Sequence, residues 1–280
     1  MFNEINGKQI SNEIFEDLKN KINVLKNKGI YITLAIIQVG NDDASSIYLN
    51  TKIKKCDSIG IKTVPYKMDN GTTTDELIEL IKNLNNDESI NAIFIEMPLP
   101  KHIDVNKISD TIDPKKDVDG INKKNLGGIL SGEKCFAPCT ASGIIEILKK
   151  SNINIEGKHC VILGRSNVVG KPLALLLLKE NATVTICHSK TVNLKQITNL
   201  ADILVVAINQ NKKIDETYVK QGAVVIDVGI HSKIVNGIKE ISGDVDFDKV
   251  KNVCSYITPV PGGVGPMTTT MLLKNCVETV

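Results

Sequence analysis

The sequence predicts an α/β protein made of two α/β domains, the second a Rossmann-like dinucleotide-binding domain. Three observations predict it. Short apolar, β-branched runs alternate with stretches of helical periodicity along most of the chain. At 280 residues the chain is long enough to build two cores. Residues 157–190 read as a strand, a glycine turn, a buried helix and a second strand, which is a βαβ unit.

The elements follow in order. Ile10, Ile14, Leu18, Ile22 and Leu25 recur at helical spacing, and Gly29 closes that helix. Residues 31–39 form a buried strand. Gly40-Asn41-Asp42-Asp43 is a turn that caps a helix running to about Ile59. Residues 61–68 are strand-like, 75–85 an amphipathic helix, and 91–97 a strand that ends at Pro98-Leu99-Pro100. Glycine density rises over residues 127–132, and a helix ending near Lys150 then acts as a connector. Residues 1–140 with 267–280 are therefore expected as the first domain and 141–266 as the second. Within the second, strands are expected at 160–163, 183–187, 203–207, 223–228 and 253–258. Helices are expected at 173–178 and 194–200, with a last helix from Met267 to about Val277.

Composition excludes several classes. A hydrophobic content of 42% with 24% charged residues is that of a soluble globular protein. A net charge of +2 gives no reason to expect nucleic acid or an anionic membrane as partner. The seven cysteines are odd in number, scattered and without a CxxC pair, which argues for free thiols in a reducing cytosol and against a metal site. The first residues show neither a basic nor an apolar signal region. The leucine run at 173–178 is far shorter than the ~20 apolar residues of a membrane span. A cytoplasmic protein is expected.

The βαβ unit carries the first chemical signal. Gly164 and Gly170 flank the turn, where backbone N–H groups can approach a phosphate at a helix N-terminus. An NAD site places an acid near the end of the second strand, to take the ribose hydroxyls. Here that end reads His188-Ser189-Lys190, and Arg165 sits in the turn. A cation and a hydroxyl suit a 2′-phosphate, so the unit reads as an NADP site rather than an NAD site. The alternative is that Arg165 and Lys190 are solvated surface charges.

Four other places stand out. Tyr48 and Lys52 share a helix face, although Lys54 and Lys55 nearby make a merely solvated lysine the plainer reading. Glu96 ends a strand, where ligands of open α/β sheets collect, but it would also serve as a turn cap. Asp117-Val118-Asp119-Gly120 offers two acids, or simply a turn. Residues 259–266 combine three prolines with three glycines, a rigid backbone that can pass close to a flat ligand.

Together these segments resemble the methylenetetrahydrofolate dehydrogenase/methenyltetrahydrofolate cyclohydrolase family in its short bacterial bifunctional form. The motifs keep the family order from Tyr48 to Met267: Tyr48-x-x-x-Lys52, Pro98-Leu99-Pro100, Asp117-Val118-Asp119-Gly120, Gly164-Arg165-Ser166 with Val169-Gly170, His188-Ser189-Lys190-Thr191, Gly243-Asp244-Val245-Asp246, and the proline–glycine loop. The resemblance implies a folate site in a cleft between the two domains, NADP on the second domain, and a homodimer on the one-carbon route to purine biosynthesis. By motif, Lys52 is the catalytic lysine and Tyr48 stacks beside the pterin. Asp119 hydrogen-bonds the pterin, and Pro261, Gly262 and Gly263 wall its pocket. Gly164, Arg165, Ser166, Ser189 and Ile230 are assigned to the cofactor, with Arg165 and Ser189 on the 2′-phosphate. The implied chemistry is hydride transfer from 5,10-methylenetetrahydrofolate to NADP, then hydrolysis of the methenyl product to 10-formyltetrahydrofolate.

Two departures from the family pattern bear on activity. Glu96 stands where the family usually has Gln, so it either tunes Lys52 by charge or is itself the base. Residues 208–212, Ile-Asn-Gln-Asn-Lys, replace a Gly-x-Pro turn near the nicotinamide, where an Asn209 side chain could intrude. A cyclohydrolase with weak or absent dehydrogenase activity is therefore an alternative. A non-catalytic NADP- or folate-binding regulator is another, although it would have no need of Lys52.

Overall fold

The computed structural model describes residues 2–40, 43–235 and 238–280, with the side chains of 43–48, 235, 238 and 239 also left aside. Asn41 and Asp42 of the expected turn, and the Tyr48 side chain, thus lie outside the described residues. In chain order the first elements are β1 (Asn3–Glu4), α1 (Gly7–Asn27), β2 (Thr33–Val39), α2 (Asp43–Ile59), β3 (Lys62–Met68), α3 (Thr74–Asn86), β4 (Ala92–Ile95), α4 (Val105–Thr111) and α5 (Lys123–Ser131). Then come α6 (Cys139–Lys150), β5 (His159–Leu163), α7 (Gly170–Lys179), β6 (Thr183–Cys187), α8 (Leu194–Thr198), β7 (Ile203–Val206), β8 (Val224–Asp227), β9 (His231–Val235), β10 (Ile238–Ser242), α9 (Phe247–Val250), β11 (Tyr256–Ile257) and α10 (Val264–Val277).

The chain divides into two compact units. Glu13–Ala137 with Thr269–Val280 form one, and Pro138–Thr268 with the chain up to Asn12 form the other. The N-terminal segment thus departs from the expected division. Its backbone adds a strand to the second sheet, with Asn3 N–H donating to Ser255 O and Ile5 N–H to Ile257 O, both at 2.8 Å. Two residues in a strand leave no periodic signal, so the sequence alone assigned them to the first domain with no element of their own.

The first unit is built on a parallel sheet of order β3-β2-β4. β2 is buried from Leu34 to Val39, mostly with apolar side chains, because a central parallel strand is covered on both faces. Helix α3 starts at a capping box, Thr73 with Glu76, and buries Leu77, Ile81 and Leu84 on one stripe. These residues join Ala35, Ile37, Ile93 and Ile95 in one core. The glycine-rich segment expected as a junction is instead helix α5, with Asn122 as N-cap and Gly132 in left-handed conformation as C-cap. Gly128 lies inside that helix because Cys135 passes close by, 2.9 Å from where a Cβ would stand.

The second unit is a six-stranded parallel sheet of order β1-β11-β8-β7-β5-β6. From β5 the chain passes through α7 to β6 on one side, then returns through α8 to β7 on the other. That reversal opens a crevice at the carboxyl ends of β5 and β7, the usual ligand position in such sheets. The β9–β10 hairpin was not expected. Its sequence signal is the Asn236-Gly237 pair, a favoured two-residue hairpin loop, and those two residues lie outside the described ones.

Candidate active site

In the first unit, α2 carries Lys52 and β4 ends at Glu96. The Glu96 N–H donates to Ile37 O at 2.9 Å, which extends the sheet register to this residue. Alternate strand residues share a face, so Phe94 and Glu96 meet the same neighbour. That neighbour is Lys52. Its Nζ donates to Glu96 Oε2 at 2.5 Å and lies 4.6 Å from the Phe94 ring centroid. Lys52 is 19% exposed and Glu96 8%, so the pair has little water to screen it. The plain alternative of a solvated lysine is overturned by this geometry. Phe94 escaped the sequence reading because an aromatic in an apolar strand reads as core.

Asp119 sits half-buried in the turn that follows a bridge between Ile93 and Asp117. That turn is fastened from inside. The fully buried Asp117 carboxylate accepts from Gly120 N–H (3.1 Å), Asn122 N–H (2.8 Å) and Asn125 Nδ2 (2.8 Å). Burial raises the Asp117 pKa, and these hydrogen bonds partly offset the rise. Asn275 Nδ2, from α10, donates to Val118 O at 2.8 Å. Of the two acids in the motif, Asp117 is thus the framework of the turn, and Asp119 is the less buried.

In the second unit the turn after β5 is as tight as its glycines suggest. A Cβ on Gly164 would run into Ala207 O, and one on Gly170 into Gly164 O. Ser166 Oγ accepts from Val169 N–H at 3.1 Å, which fastens the start of α7. Gly164, Arg165, Ser189, Thr191, Ile208 and Gln210 are among the residues lining a cavity of about 470 Å³ at the carboxyl ends of β5, β6 and β7. Ser166 is placed on the helix start and is not among the lining residues. Ile230, 57% exposed, lies near Gly265 and does not line this cavity either. Asn209 is exposed and takes left-handed backbone (φ 54°), so its side chain is not among the lining groups.

The proline–glycine loop is packed against its own unit. Lys8 N–H donates to Gly262 O at 3.0 Å, and a Cβ on Gly263 would stand 2.6 Å from Pro259 O. Pro261 follows β11 in the same loop. Among the described residues, no group of three or more His, Cys, Asp or Glu is placed to hold a metal, and no helix is long and apolar enough to cross a membrane.

Comparison with known proteins agrees with this division of labour. Residues 5–119 match the tetrahydrofolate dehydrogenase/cyclohydrolase catalytic domain, and residues 138–280 match the NAD(P)-binding domain of the same family. The chain belongs to the tetrahydrofolate dehydrogenase/cyclohydrolase family. Among its relatives is the bifunctional protein FolD of Agathobacter rectalis, 56% identical over 99% of both chains. FolD of Acetivibrio thermocellus is 50% identical over 98% of this chain and 95% of its own. The fold matches the bifunctional FolD methylenetetrahydrofolate dehydrogenase/cyclohydrolase of Campylobacter jejuni with a TM-score of 0.96, at 44% identity and over 100% and 98% of the two chains. It also matches the Trypanosoma brucei enzyme, solved with NADP cofactor and inhibitor, with a TM-score of 0.94 at 34% identity over 99% and 97%. For a member of this family the arrangement of Lys52 and Glu96 is a catalytic candidate, and the cavity beside Gly164 a cofactor candidate.

Proposed function

We propose that this protein oxidises 5,10-methylenetetrahydrofolate to the 5,10-methenyl form with NADP and hydrolyses that product to 10-formyltetrahydrofolate. The observation that carries the reading is the Lys52–Glu96 pair. It is an amine and a carboxylate held together at a strand end with little access to water, in a chain of this family. Such a pair manages protons, and a pure binding module has no use for it.

NADP fits the cavity of the second unit, because two glycines bring bare backbone to the start of α7 and Arg165 and Ser189 line the same space. Bound there, the cofactor supplies the hydride acceptor. Arg165 and Ser189 hold its 2′-phosphate, and Gly164 and Ser166 shape the turn against it. Ile230 is assigned to it as well, on the resemblance alone. On the resemblance alone, Tyr48, Asp119, Pro261, Gly262 and Gly263 are assigned to the folate. Loss of hydride leaves the bridging carbon cationic, and no side chain needs to take a proton in that step. Hydrolysis differs: water adds to that carbon, a proton leaves the water, and the carbon–nitrogen bond that closes the ring breaks as its nitrogen takes a proton. Lys52 and Glu96 carry those protons.

The protein is read further as a cytosolic homodimer. Seven cysteines with no disulfide among them suit a reducing compartment. β6 is an edge strand bearing Ile186, 37% exposed, and Leu178 on α7 is 61% exposed, so this edge suits a second copy. Sedimentation of the purified chain at the mass of one copy would remove the dimer.

A second reading keeps the cyclohydrolase and weakens the dehydrogenase, and the 208–212 segment without Gly or Pro favours it. One experiment separates the two. Purified protein is given methylenetetrahydrofolate with NADP, and methenyltetrahydrofolate in the same buffer. Both activities are expected. Hydrolysis alone supports the second reading, and neither activity overturns both.

A further inference from the structure

The turn after β7 needs support from outside itself. Asn209 (φ 54°) and Lys212 (φ 48°) take left-handed backbone, which asparagine adopts readily as a single residue but lysine adopts at a cost. The support is Asp244, fully buried in the Gly243-Asp244-Val245-Asp246 motif. Its Oδ2 accepts from Ile208 N–H (2.8 Å) and Asn209 N–H (3.1 Å), and its Oδ1 from Gln210 N–H (2.7 Å). His231 Nε2 donates to the same Oδ1 at 2.8 Å. Four donors face one carboxylate, so Asp244 accepts throughout and Nε2 carries a hydrogen.

Asp244 is held in turn by a second carboxylate. Asp227, at the end of β8, accepts from the N–H groups of Gly229, Asp244 and Val245, each at 3.0 Å. The glycines around the pair leave room for nothing else. A Cβ on Gly243 would run into Asp227 Oδ2, and one on Gly229 into the Asp244 carboxyl carbon. Two nested carboxylates thus connect the end of β8 to the turn after β7. That turn places Ile208 and Gln210 in the wall of the cavity that Gly164, Arg165 and Ser189 also line.

We propose that Asp244, backed by His231 and Asp227, is a positioning residue for the cofactor, acting through the turn of Ile208, Asn209 and Gln210. The inference rests on reading that cavity as the NADP site. Hydride transfer depends on where the cofactor lies, whereas hydrolysis of the methenyl product uses no cofactor, so only the first activity should feel the clamp.

The test compares His231→Ala, which removes a donor to Asp244, with His231→Gln, which offers one again, and adds Asp244→Asn, whose amide turns donors toward two backbone N–H groups. Three quantities are measured: NADPH affinity by fluorescence titration, the rates of both activities, and amide hydrogen exchange at 208–210. His231→Ala should weaken NADPH binding about fivefold to tenfold, as expected for a lost charge-assisted hydrogen bond. His231→Gln should recover to within about twofold. Asp244→Asn should weaken binding further, and exchange at 208–210 should quicken in the same order. Unchanged affinity and exchange in His231→Ala and Asp244→Asn would overturn the proposal. So would equal loss of both activities, which a general structural defect would cause. If the unmodified protein binds no NADPH, the NADP reading of the cavity fails, while the exchange rates still report whether the clamp exists.

Discussion

Lys52 meets Glu96 at 2.5 Å and the face of Phe94 at 4.6 Å, so its amine is held by two partners at once. Lys52→Met keeps most of the bulk and removes the amine. Methenyltetrahydrofolate hydrolysis should fall about 100-fold or more, the scale of a general acid–base group. Normal hydrolysis by that variant would make the lysine a bystander. Glu96→Gln asks which partner is the base. Glutamine keeps an acceptor near Lys52 and removes the charge, so hydrolysis should persist with an altered pH–rate profile. Abolished activity would make Glu96 the base, and a profile unchanged in shape and height would remove it from the reaction. Arg165 is exposed and lines the cavity proposed for NADP. Arg165→Ala should raise the KM for NADP by a factor corresponding to about 1.5–3 kcal/mol, the range for hydrogen bonds to charged groups. It should change NAD kinetics little. Equal kcat/KM for NAD and NADP in the unmodified protein would contradict the 2′-phosphate assignment.

Two glycines show how an element's surroundings decide what the same substitution does. Gly170 opens α7 with backbone on its bare side, and a Cβ there would run into Gly164 O. Gly170→Ala should therefore cost about 1–3 kcal/mol of stability, as overpacking does, and should weaken NADPH binding as the turn shifts. Gly127 lies in α5 with nothing within 4 Å of its Cβ position. Gly127→Ala should instead stabilise by about 0.5–1 kcal/mol, since alanine has less chain entropy to lose and a better helix propensity. Urea unfolding of both variants checks the opposite signs. Destabilisation by Gly127→Ala would mean that the helix serves a contact not yet identified.

For the molecule as a whole, buried acids couple folding to pH. Burial pushes the Asp227 carboxyl up from 3.8 to about 6, against three backbone hydrogen bonds that lower it and with Asp244 adding to the rise. Below about pH 4 the group is protonated in both folded and unfolded chains. Between about 4 and 6 the folded chain keeps a proton that the unfolded chain has released, so stability falls as pH rises through that window. Above about 6 the loss is complete, at roughly 3 kcal/mol for two pKa units. Asp227→Asn removes this component. The stability of the unmodified protein relative to that variant should therefore decline by about 2–3 kcal/mol between pH 4 and pH 7 in urea titrations. A relative stability that rises over the same interval would show that the hydrogen bonds outweigh burial.

By itself the sequence determined the alternation of parallel strands with helices and the glycine turn after β5, and it singled out Lys52, Glu96, Arg165 and Ser189 as candidates. Each is a local signal: a period, a spacing, or a residue type at the end of a strand. It missed β1, α4, α5 and the β9–β10 hairpin, where short elements or glycines weaken the period. Only the tertiary structure decided that Glu96 faces Lys52 across 44 positions of sequence, and that Asp117 is the framework of its turn. It also decided that Asp244 reaches back 34 to 36 positions to hold the turn at 208–210. The sequence motif around Asp244 was visible, but a carboxylate carries no mark of which backbone it will accept from. That choice is made by burial, because a charged group taken out of water must find its donors wherever the fold brings them.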